Sequence, residues 1–131
     1  MSDPLEQEAC ADSCCWFDRR QLRTLLESDS SELLCELYTL YLGQLRELSS
    51  QLASILPPYD FESIEQLAHK MKSSSHSIGA VRVAKLLNEA ESAALECNDL
   101  QMQNILETLM QDCIRTIEEL EREILALRNE K

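Results

Sequence analysis

Apolar residues that return every third or fourth position, with almost no glycine or proline between them, leave this chain little choice but helix. The clearest run is Leu34, Leu37, Tyr41, Leu45, Leu48, Leu52 and Ile55. It draws one stripe down a long amphipathic helix that starts near Glu32. Pro57 and Pro58 are expected to stop that helix, since proline has no amide hydrogen and its ring collides with the preceding turn. Two glycines and three prolines in 131 residues are few, strand-forming aromatics are scarce, and helix formers abound. No strand signal and no internal repeat is visible.

The same spacing marks the other elements. Residues 1–16 read as a polar, flexible leader, and residues 17–128 as one folded domain with room for one modest core. A short helix opens at Asp18 as its N-cap and is expected to bury Phe17, Leu22, Leu25 and Leu26, ending in the polar run at 28–31. Asp60 caps a third helix whose stripe is Phe61, Ile64, Ala68, Met71, Ser75 and Ile78, interrupted at Gly79. A fourth runs from about Val81 to Leu95 with Val83, Leu87, Ala90 and Ala94 inward. After a turn at Cys97–Asp99, where Asn98 or Asp99 can cap, a fifth carries Leu106, Leu109, Cys113, Ile117, Leu120, Ile124 and Leu127. The expected fold is all-α: an antiparallel up-and-down four-helix bundle with the short N-terminal helix capping one end. The last helix can reach ~45 Å at ~1.5 Å per residue. Its end, Leu120 to Leu127, is expected to fray, or else to project or pair with another copy, with a monomer favoured over a dimer.

Charge and cysteine usage narrow the function classes. With 24 acidic and 12 basic residues the net charge is −12, the wrong sign for nucleic acid or an anionic membrane. Apolar runs are too short to span a bilayer, and the start MSDPLEQEAC lacks the pattern of a signal peptide. A cytoplasmic protein is expected. Cys35, Cys97 and Cys113 fall at apolar helical positions, as reduced cysteines do. Cys10, Cys14 and Cys15 cluster in the leader as oxidation-prone thiols, and no ligand set for a metal is visible.

Against this anionic background one window stands out. From Gln66 to Asn88 there is no Asp or Glu, while Lys70, Lys72, Arg82 and Lys85 all lie there. That cationic island suits an added anion. His69 sits beside Ala68, toward one edge of the core-facing stripe, with Glu65, Lys72, Ser73 and His76 on its strip. Lys72, one turn on, can reach a group carried on the imidazole. Ser73 is small enough to leave the ring open, Glu65 is placed to orient it through one ring nitrogen, and His76 can contact a bound anion. A lone helical histidine is usually only a surface residue. Here its neighbours argue for chemistry.

The run Leu67-Ala68-His69-Lys70-Met71-Lys72-Ser73-Ser74-Ser75, followed by Gly79-Ala80, resembles the signature of histidine-containing phosphotransfer (HPt) domains of two-component phosphorelays. Asp60 and the Ala90-Glu91 pair fall where that family shows Asp and Leu-Glu, and the resemblance spans about residues 17–125. It implies that His69 is the phosphoryl acceptor, that Lys72 steadies the phosphoryl oxygens, and that Gly79 permits close packing beside the site. Two positions depart from the pattern. Met71 replaces leucine at nearly equal volume, and Ser73 replaces the usual glycine where a partner must approach.

The resemblance also implies the partners: receiver domains of response regulators and of hybrid sensor histidine kinases, docking near Lys70, Lys72, Arg82 and Lys85. Transfer needs Mg²⁺, which the receiver supplies; no cofactor is expected on this chain. Gly43 and Gly79 are the only glycines, so there is no phosphate loop and no autokinase, and the chain is expected to be a phosphocarrier. The alternative is a non-transferring adaptor that docks on receivers or kinases, for which Ser73 is the argument. A coiled-coil scaffold on the fifth helix is a third reading. A hydrolytic enzyme built from the two histidines with Ser74 or Ser75 lacks any orienting acid.

Overall fold

The computed structural model describes residues 16–129. Among them are five helices and no strand: α1 Arg19–Leu26, α2 Ser31–Ala53, α3 Phe61–Ile78, α4 Val81–Glu96 and α5 Asp99–Asn129. Their starts are set by local chemistry. The Asp18 carboxylate accepts from Arg20 N at 3.0 Å, Ser30 Oγ from Leu33 N at 3.3 Å, Asp60 from Ser63 N at 3.3 Å, and Asn98 Oδ1 from Gln101 N at 3.0 Å. Each satisfies an amide that a helix leaves without a partner.

α2 stops before the prolines. Ser54 closes it, its hydroxyl donating to Gln51 O at 2.9 Å, so a local side-chain bond ends the helix and Ile55 lies outside it. Gly79 closes α3 with φ at +96°, a conformation glycine adopts at no steric cost.

The four long helices form a bundle. α2 packs on α5, α5 on α4 and α4 on α3, with a lighter α2–α3 contact. The core is filled by Leu34, Tyr38, Leu45 and Leu48 from α2, Ala68 and Met71 from α3, Val83 and Leu87 from α4, and Met102, Leu109, Cys113, Leu120 and Leu127 from α5. Burial of this kind is the main favourable term in folding, at about 25 cal/mol per Å² of apolar surface. Behind the functional face the Tyr41 and Ser75 hydroxyls lie 2.6 Å apart, tying α2 to α3. Burial pushes the Tyr41 phenol up, so it stays protonated. On α4 the inward face is largely alanine (Ala84, Ala90, Ala93, Ala94), and such small side chains let a neighbouring helix come close. α3 and α4, joined through Gly79 and Ala80, form an antiparallel hairpin.

Four expectations need correction. Leu25 is 55% exposed, because the short α1 touches the bundle along one strip that holds Leu22 and Leu26. Cys97 is exposed in the left-handed turn after α4, with φ at 53°, rather than apolar core. Leu120, Ile124 and Leu127 are buried, so the end of α5 neither frays nor projects; its seam is used within the fold. Finally, Trp16 belongs to the folded body and not to a leader. It is half-buried, with the Arg82 and Arg115 guanidiniums 4.6 and 5.1 Å from its ring centre. Cys10, Cys14 and Cys15 lie outside the described residues.

Candidate functional site

α3 carries His69 and Lys72 one turn apart, and α4 faces them with Glu91 and Asn88 at the same spacing. His69 Nδ1 lies 2.9 Å from Glu91 Oε2, Lys72 Nζ donates to Glu91 Oε1 at 2.6 Å, and Lys72 Nζ also reaches Asn88 Oδ1 at 3.3 Å. One carboxylate therefore holds both residues, an oxygen for each. Lys72 first, and His69 second, hold the Glu91 carboxyl below the usual glutamate range, so at neutral pH it is ionised and can only accept hydrogen bonds. The proton of a neutral His69 must then sit on Nδ1. Nε2 keeps its lone pair. The His69 side chain is 73% exposed, so that nitrogen is open to an approaching electrophile.

The ring opens onto a groove of about 670 Å³. Lys72, Ser73, His76 and Gly79 line it from α3, Val81, Ala84, Lys85 and Asn88 from α4, and Asp18 and Gln21 from the start of α1. Gly79 makes this junction possible. A Cβ there would stand 2.3 Å from the Asp18 carbonyl oxygen, and Asp18 N donates to Gly79 O at 2.7 Å. Ser73 is exposed and does not cover the ring.

The groove thus gathers His69, Lys72, Ser73, His76, Gly79 and Lys85, and leaves out three residues that the sequence placed with them. Glu65 is not the partner of the ring. Glu91, anchored by Lys72, takes that role, and an anchored partner outcompetes an exposed pair that must order two side chains. Lys70 lines a different groove, with Gln44 and Glu47 of α2. Arg82 turns toward α5, its Nε 3.1 Å from the buried Asp112 carboxylate. The cationic island is therefore divided. Lys72 is neutralised by Glu91, and Lys85 is the exposed cation that remains on the groove.

Glu91, Asn88, Asp18 and Gln21 were not singled out as site residues. The available signal lay in α4, where Asn88 and Glu91 repeat the spacing of His69 and Lys72 beside an alanine-rich face. Among the described residues no group of three or more His, Cys, Asp or Glu side chains is placed to hold a metal ion, and no helix is long and apolar enough to cross a membrane.

A family model, the Hpt domain, matches residues 36–130. The chain belongs to the Hpt domain family. No curated protein and no solved structure matches it. Hpt domains serve histidine phosphotransfer in two-component systems, as phosphocarriers rather than kinases, and interact with receiver domains in phosphorelays. The match runs from Glu36, inside α2, through α5, and α1 lies outside it.

Proposed function

We propose that this Hpt domain is a histidine phosphotransfer protein in which His69 Nε2 takes a phosphoryl group from a receiver-domain aspartyl phosphate and passes it to another receiver. The observation that carries this reading is the Glu91 contact to Nδ1, which leaves an exposed Nε2 as nucleophile. In the forward step the N–P bond forms as the acyl phosphate P–O bond breaks, and the receiver aspartate leaves as a carboxylate. The imidazole keeps its Nδ1 proton and becomes cationic, so the adjacent Glu91 carboxylate offsets the developing charge. Lys72 is close enough to turn from Glu91 toward the phosphoryl oxygens. The reverse step, onto a second receiver, regenerates the neutral ring.

The partners under this reading are receiver domains of response regulators and of hybrid sensor histidine kinases, with Mg²⁺ held by the receiver. Mixing the chain with a phosphorylated receiver and Mg²⁺ should give acid-labile, base-stable phosphate on His69. His69→Gln should abolish the label with the helical fold retained, and His76→Gln should keep it. Label that survives His69→Gln and disappears with His76→Gln would refute the assignment. Receiver binding without label would favour the adaptor.

A further inference from the structure

The groove beside His69 is not built by the family-matched helices alone. α1 supplies Asp18 and Gln21 to its wall. An eight-residue helix is too short to hold its own shape in water, so whatever seats α1 also sets that wall. Its start is pinned by the Asp18 N to Gly79 O bond at 2.7 Å and by Phe17, whose ring meets Tyr38 edge-on at 5.4 Å. Its body packs on α3 and is tied across to α5 by ion pairs. Arg19 Nε lies 3.2 Å, and an Arg23 terminal nitrogen 3.5 Å, from the two oxygens of Glu123. Arg19 and Arg23 are one helical turn apart, so a single carboxylate meets both. The Glu123 side chain is only 9% exposed, and a carboxylate that dry is costly without its partners. Tyr38 adds a further tie, its hydroxyl donating to Arg19 O at 3.4 Å. Burial first, and the Glu123 charge second, push that phenol up to about 12, which keeps the donor protonated.

We infer that Glu123 is a positioning residue for phosphotransfer: it latches α1 to α5 and so keeps Asp18 and Gln21 in the wall that a docking receiver meets. Glu123 lines no part of the groove and has no bond to His69, Lys72 or Glu91, so it acts through α1. The inference rests on the phosphotransfer reading and adds a separable consequence. The reacting trio stands on α3 and α4, so losing the latch weakens docking and spares the chemical step. Apparent affinity falls in proportion to the fraction of molecules with α1 seated.

The test uses the full chain with Glu123→Gln, which keeps the shape and removes the charge, and measures transfer against receiver concentration. The receiver concentration for half-maximal transfer should rise about fivefold, with the saturating rate within about twofold of wild type. Trp16, the single tryptophan, sits two residues before Asp18 and should change its emission as the segment loosens. Arg23→Gln, which leaves the Arg19–Glu123 pair, should give a smaller shift of the same kind. It also decides the matter if Glu123→Gln loses its helical circular dichroism. Exchanging the charges (Arg19→Glu, Arg23→Glu, Glu123→Arg) should restore the half-saturation value. An unchanged half-saturation value, or a fallen saturating rate at unchanged half-saturation, overturns the inference. A wild type that binds receivers without being labelled refutes phosphotransfer alone, and the receiver Kd of Glu123→Gln then tests the latch. A wild type that neither binds nor labels overturns both.

Discussion

Replacing Glu91 by Gln asks whether the carboxylate chooses which histidine nitrogen reacts. In the wild type two oxygens accept from two donors, His69 Nδ1–H and Lys72 Nζ, at 2.9 and 2.6 Å. A glutamine amide offers one oxygen and one NH₂ group. A lysine ammonium has donors and no acceptor, so Lys72 takes the oxygen, and the NH₂ group turns toward His69. Nδ1 must then accept, and the ring proton moves to Nε2, the nitrogen meant to attack. Hydrogen bonds to charged groups contribute about 1.5–3 kcal/mol net. With the ring 73% exposed, solvent competes and the lower end applies, about 1.5 kcal/mol, or roughly a tenfold fall in the saturating transfer rate. Receiver affinity should change little. Single-turnover transfer from a phosphorylated receiver at saturation measures the rate, and ¹⁵N shifts of the imidazole report the tautomer. A Gln variant that keeps its proton on Nδ1 and transfers within about twofold of wild type would refute the reasoning.

Two further outcomes follow from the same geometry. Gly79→Ala should cost about 2–4 kcal/mol of stability in urea unfolding, combining a left-handed alanine with displacement of Asp18 and its 2.7 Å hydrogen bond; a loss below about 0.5 kcal/mol would mean the junction yields freely. Glu91 titrates below its ordinary value, so its contribution to stability is present at neutral pH and lost as pH falls through the folded-state pKa. The stability gap between wild type and Glu91→Gln should therefore shrink below about pH 4. Asp112 works in the other direction, because burial raises its pKa more than Arg82 lowers it, but it is common to both proteins and cancels. A gap that stays constant down to about pH 3 would show that Glu91 is not held as described.

What could be read from the chain in advance was the local part. Stripes and caps are set within a turn or two, so Asp18, Asp60 and Gly79 marked their helix ends and Ala68, Met71 and Ser75 their inward face. The charge window failed because it was counted along the sequence, whereas a helix turns about 100° per residue. Lys70 is one residue from His69 and faces α2, and Arg82 faces α5. The reading of Glu65 as the ring's partner fails for a related reason, since a single strip contains no information about the helix across from it.

Yet the hairpin register was present in the chain. In an antiparallel pair, residues equally far from the turn face each other. His69 and Glu91 each lie eleven residues from Ala80, and Lys72 and Asn88 each lie eight. These are the pairs that bond at 2.9 and 3.3 Å. The left-handed Gly79 fixes where the chain reverses, and the alanines of α4 fix how closely it returns. The residue that permits the turn and the residue that orients the nucleophile are thus two parts of one constraint. Moving the turn by a single residue would carry Glu91 about 100° around α4 and away from His69, and the nucleophile would lose its orienting carboxylate with every site residue still in place.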